Sequence, residues 1–148
     1  MKIVPNIAAR IAATHRLHTK LRAVFDSFVA QLDYFASDKC EVPGVSISAN
    51  AGSDTFTASL STVRLAFTFV VQRTDAASRG HVVCVKEAPS FSDEVRILGS
   101  FSFDVQGLAD IEVAPGEDPV DLNYAAVEVV LCFLDLALKL PPMHGAAR

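Results

Sequence analysis

Between Pro119 and Leu140 the chain reads PVDLNYAAVEVVLCFLDLALKL. Wound as a helix at about 100° per residue, this stretch surrounds its axis with apolar side chains and leaves only Asp121, Glu128 and Asp135, seven residues apart, as a thin polar seam. A helix lying on a core with one side in water shows an apolar stripe and a broad polar face instead. The stretch therefore demands cover on nearly every side, and the fold must supply it. A membrane cannot be that cover. The longest unbroken apolar run is Val129 to Leu134, and a charge such as Glu128 or Asp135 at mid-bilayer costs about 2.5 to 3.5 kcal/mol.

The flanks carry helix punctuation. Asp118 is placed as N-cap, Pro119 at the first helical position and Asp121 in the first turn, while Pro141-Pro142 closes the other end. The predicted helix is Pro119–Leu140, followed by a tail over residues 141–148 that has no period of its own.

Helical spacing also marks the start of the chain. Ile7, Ile11, Thr14, His18, Leu21, Phe25, Phe28, Leu32 and Phe35 follow one another in steps of four and three, which predicts one amphipathic helix from Asn6 to Ala36. Asn6 after Pro5 reads as its N-cap, and Asp38 with Pro43-Gly44 as its exit. The stripe is weak at Thr14 and His18 and aromatic after Leu21. Its second half is expected on the core, and its first half less tightly packed or against another subunit.

Between the helices the period falls to two. Val45, Ile47 and Ala49 alternate with serines; Phe56, Ala58 and Leu60 with Thr55, Thr57 and Ser59; and Val63, Leu65, Phe67, Phe69 and Val71 with a largely polar set. Across the connections Asn50–Ser53 and Ser61-Thr62, Ile47 is expected opposite Phe56 and Ala58 opposite Leu65, all on one face. The strand His81–Ala88 is apolar on both parities, so it should be central or covered twice. Val95, Ile97, Gly99, Phe101 and Phe103 form another inward set. Val105-Gln106-Gly107 then makes a hairpin that returns as Leu108–Val113, with Ala109 and Ile111 opposite Phe103 and Phe101. These elements predict a single α+β domain over residues 1–140. It is a two-layer arrangement of a five- or six-stranded antiparallel meander, with the long N-terminal helix and the apolar C-terminal helix on one sheet face.

Composition excludes several classes. At 148 residues, 51% hydrophobic and 20% charged, the chain can fill one large core and still furnish a subunit interface. Cys40, Cys84 and Cys132 are odd in number and lack CxxC spacing, the pattern of thiols in a reducing compartment such as the cytoplasm. Residues 1–25 hold Lys2, Arg10, Arg16, Lys20 and Arg22 and no acid. Such a start resembles a mitochondrial presequence, but the expectation is an ordinary structural helix. From residue 99 onward eight acids stand against two bases, so the two ends should attract each other within the fold or across a dimer. The pI near 5.5 argues against a nucleic-acid partner, since such domains usually lie above about 9. The strand phenylalanines also sit opposite the hydroxyl-rich sheet face, where they cannot stack on bases.

No phosphate loop, nucleophile elbow, zinc-binding histidine pair or dinucleotide fingerprint is present. His15 and His18 have no further ligand nearby, and His81 and Cys84 point to opposite faces of a strand. Asp110, Glu112, Glu117, Asp118 and Asp121 lack the pattern of a calcium loop. No catalytic group, metal or cofactor is assigned. Two readings follow. The first is a non-catalytic, homo-oligomeric protein-interaction module, a dimer with a possible protein partner, whose interface includes Glu128, Leu131 and Asp135. The second is a small-molecule binding protein or enzyme with an apolar pocket between sheet and helices. Phe67, Phe69, Phe101 and Phe103 would line it, and His18, His81 or Glu128 would be its polar group. Glu128 and Asp135 either form a wet edge, with Lys139 as a local partner for Asp135, or pair with bases of helix 1 or a second subunit.

Overall fold

A computed structural model describes residues 5–50, 52–73, 78–88, 95–111 and 120–139. Helix α1 spans Pro5–Gln31, a rod of about 40 Å at 1.5 Å per residue, and tightens into a 3-10 turn over Leu32–Ala36. Pro5 is already helical, so Asn6 lies in the first turn and is not the cap. Proline suits that place because the first N–H groups of a helix have no partner within it. At the exit Ser37 turns extended and bonds back to the Tyr34 carbonyl, and Gly44 takes φ +90° before the sheet begins.

Among the described residues seven strands follow: β1 Val45–Ala49, β2 Thr55–Leu60, β3 Val63–Arg73, β4 Ser78–Lys86, β5 Arg96–Phe103, β6 Leu108–Ala109 and β7 Val120–Asp121. Each pairs antiparallel with the next, so sheet order equals chain order, and the sheet curls into a half-barrel. The strand count exceeds the expected five or six because Val120-Asp121, read from sequence as the first turn of the last helix, pairs with Leu108-Ala109 instead. Val120 and Leu122 are buried by that choice. Asp121 then ends the strand, its side chain accepting from the Asn123 N–H and its carbonyl from those of Tyr124 and Ala125. Helix α2 accordingly runs Ala126–Lys139, shorter than expected. Asp118, Pro119, Val113 and the tail lie outside the described residues.

The β2–β3 hairpin has the expected register, with Ala58 opposite Leu65 and Ser61 at φ 55° in the two-residue turn. Between β1 and β2 the register differs by two: Ile47 faces Ala58, and Ala49 faces Phe56. A shift of two preserves parity, so the inward set is unchanged. On β4, fourth of seven, Val82 and Cys84 enter the core while His81, Val83 and Val85 remain half-buried on the other side. A bulge departs from expectation on β5. Cys84 pairs with Gly99 but Val85 pairs with Ile97, leaving Leu98 as the extra residue. Leu98 turns toward the core, whereas Val95 and Ile97, expected inside, face solvent, Ile97 at 69% exposure. The next turn holds as expected, with Gly107 at φ +90° and Phe103 opposite Ala109, but its return strand is only Leu108–Ala109, so Ile111, expected opposite Phe101, lies outside the strand.

Both helices lay aromatic rings on the same sheet face. Phe25 stacks on Phe69 at 4.9 Å, Phe28 meets Phe56 and Phe101, and Phe133 of α2 meets Phe67 and Phe101. Each such ring contributes roughly 1.5 to 3 kcal/mol when fully buried. Gly80 completes the layer from beneath. The Phe103 ring stands over it so closely that an added Cβ would collide with the ring.

Candidate functional site

Helix α1 changes character at Leu21. From there Leu21, Val24, Phe25, Phe28, Leu32 and Phe35 are buried on the core. Before it, residues 6–13 are all exposed, Ile11 at 64%, and only Thr14 and Leu17 are partly covered. The first three turns or so thus stand clear of the domain as an arm bearing Ile7 and Ile11 beside Arg10 and Arg16, without an acid. All seventeen acids of the chain come after residue 25.

Arg22 marks the boundary. It holds Asp26 one turn on at 3.2 Å, forms an ion pair with Asp54, and donates to the Ser53 carbonyl at 2.8 Å. Its guanidinium also lies 5.9 Å from the ring centres of Phe25 and Phe69. One side chain thereby fastens the β1–β2 connection to α1. Further along, Gln31 donates to the Leu122 carbonyl at 2.7 Å, and its Oε1 accepts from the Ala126 N–H, supplying a partner to one of the unsatisfied donors that open α2.

The described residues cover helix α2 on one side, which corrects the expectation of cover all round. Ala126, Val129, Val130, Phe133, Leu134 and Ala137 are buried, while Glu128, Asp135, Leu136, Leu138 and Lys139 are exposed. The all-round apolar pattern had drawn in Val120 and Leu122, which belong to β7 and the turn after it. The polar seam runs down the middle of the open face. Asp135 pairs with Lys139 at 2.8 Å, the wet-edge arrangement, with Leu131 and Leu138 on one shoulder and Cys132 and Leu136 on the other. Burial, then Asp135 and Glu128, raise the Cys132 thiol above its usual range.

The residues foreseen as a pocket do not converge. Phe67, Phe69, Phe101 and Phe103 are buried in ring contact with one another or with helix side chains. His18 sits exposed on α1 with its ring edge-on to Phe69 at 6.3 Å. His81 lies on the opposite sheet face, its Nδ1 2.9 Å from Ser102 Oγ, and Glu128 lies on the open side of α2. Of the interface set, Leu131 is half-buried against the core while Glu128 and Asp135 face outward. Among the described residues no group of three or more His, Cys, Asp or Glu side chains is placed to hold a metal ion. No described helix is long and apolar enough to cross a membrane.

Arg22 and Gln31 escape a reading of the sequence because their partners on other elements lie 31 to 95 residues away. The usable hint is only that each is polar beside an aromatic helix stripe. No family model matches the chain, and neither the curated proteins nor the solved structures give a significant match.

Proposed function

We propose that the protein is a non-catalytic interaction module that self-associates, the arm of α1 from one copy lying along the open face of α2 in another. The observation that carries this reading is the arm itself. Helices in proteins owe most of their stability to packing of an apolar face, and Ile7 and Ile11, at helical spacing outside the domain and 43% and 64% exposed, call for a covering surface. Two arms make poor partners for each other, since Arg10, Arg16 and Lys20 would meet their own copies and like charges across an interface are unfavourable. The open face of α2 offers Leu131 and Leu138 for the isoleucines and Glu128 and Asp135 for the cations. Reciprocal exchange of arms closes on a two-fold axis, which doubles the contact and leaves no free end for growth.

Sedimentation velocity of the full chain at low micromolar concentration tests this. A dimer is expected that dissociates on raising the salt, on Ile11→Asp and on Leu138→Glu, with the melting transition of each monomeric variant kept. A well-folded monomer at all concentrations would remove the reading.

A further inference from the structure

Strand β1 is an open edge of the sheet, and the ladder beside it fixes which of its backbone groups are available. The Phe69 N–H donates to the Asp54 carbonyl at 2.7 Å. In antiparallel pairs the bonded rungs alternate, so Phe56, Ala58 and Leu60 exchange bonds with Phe67, Leu65 and Val63 on β3. Thr57 and Ser59 then turn their N–H and C=O groups to Ser48 and Ser46 of β1. Val45, Ile47 and Ala49 direct theirs to the outside. No turn, loop or cap bond between described residues reaches Ile47 or Ala49.

Beside this edge runs a groove with two compartments of about 370 and 390 Å³ that share Val29, Asp33 and Ala49. Helix α1 and its 3-10 turn form one wall, with Val29, Ala36 and Asp33, and β1 forms the other with Ile47 and Ala49. Asp26 lines it too, but is held by Arg22, whereas Asp33 is exposed and has no ion-pair partner among the described residues. No lysine or arginine is among the described residues that line either compartment.

We infer that this edge and groove receive an extended segment of another protein as an added strand. The segment places small aliphatic side chains at alternate positions over Val29 and Ala36 and brings a lysine or arginine to Asp33. Outward-facing N–H and C=O groups supply the backbone bonds, and the period of two decides which side chains enter the groove. A second copy of this chain is the poorer occupant. Pairing β1 with β1 across a two-fold axis brings Asp33 of each copy into one cleft, with no lysine or arginine among the described residues of the groove to offset it. The surface is separate from the arm of α1 and from the open face of α2, so either reading can fail alone.

The test is fluorescence anisotropy of the full chain with a labelled peptide, Thr-Val-Thr-Lys-Thr-Val-Thr, whose valines and lysine share one face as a strand, against the same peptide with glutamate for lysine and two versions N-methylated at odd or at even residues. The lysine peptide is expected to bind, and the glutamate peptide about threefold to fivefold more weakly, as suits one exposed ion pair. In one phase N-methylation abolishes binding. Asp33→Lys reverses the charge preference. Ile47→Pro abolishes binding while keeping the fold, because the Ile47 N–H is not in the ladder and an edge strand tolerates proline there. Should that variant misfold, amide exchange decides: Ile47 and Ala49 exchange freely in dilute protein and become protected when the lysine peptide is added. No binding, binding insensitive to N-methylation in either phase, or protection of Ile47 that rises with protein concentration alone would each overturn the proposal.

Discussion

From Leu21 onward, α1 and its 3-10 turn sink Leu21, Phe25, Phe28, Leu32 and Phe35 into the curl of the sheet; from Asn6 to Arg16 the same helix buries nothing fully. Backbone and spacing continue unchanged across the boundary. What differs is the size of the side chains on the stripe and the presence of a partner surface. Aromatic rings reach Phe56, Phe69 and Phe101, whereas Ile7 and Ile11 are exposed and no described strand lies beneath them. Periodicity thus dictates that a helix forms and which way its stripe faces, while its cover depends on where the sheet ends.

The two halves of α1 should respond very differently to truncation. Phe28→Ala removes a side chain that is 1% exposed and is expected to cost about 3 to 5 kcal/mol in urea unfolding. Ile11→Ala, measured under conditions that keep the protein monomeric, is expected within about 0.5 kcal/mol of the parent. A large loss at Ile11 in the monomer would mean that the arm is covered within its own chain. The arginines sharpen the same boundary. Arg22→Ala gives up bonds to Asp26, Asp54 and the Ser53 carbonyl and should cost about 1 to 2 kcal/mol, whereas Arg16→Ala should cost nothing measurable in a monomer.

Alkaline pH separates the core from the arm in another way. Burial pushes the Cys84 thiol up to about 12 from its ordinary value of 9.0. The unfolded chain therefore releases this proton first, and stability falls as the pH rises from 9 toward 12, with no contribution below 9. At pH 10 the loss is about 1 kcal/mol, absent from Cys84→Ala, and urea titrations at pH 8 and 10 read the difference. The arm variants should show the same pH dependence as the parent, because the group that titrates lies under the helices and not beside Ile11.

The sequence makes the core legible because period and parity are local properties. The inward phenylalanines, the long first helix, the tight turn at Ser61 and the positive φ of Gly107 all follow from neighbours a few residues away. Features set by distant contacts are not legible in that way. Val120-Asp121 carries the chemistry of a helix start, yet the edge of β6 and the burial of Val120 and Leu122 draw it into the sheet. The bulge at Leu98 reverses Ile97 although the alternation there looks regular. Of the residues singled out for a site, Glu128 and Asp135 lie on a common open face, whereas His18, His81 and the phenylalanines lie on different faces. The groove along β1 is invisible in the sequence because it depends on which strand is left at the edge.

The contact between arm and α2 is tested most directly by placing a photo-crosslinking amino acid at Ile11 and irradiating a mixture of isotopically light and heavy protein at low micromolar concentration. Crosslinks are expected between light and heavy copies, mapping to Val127–Lys139 and disappearing with Leu138→Glu. Crosslinks only within one copy, or between copies but to another surface, would contradict that contact.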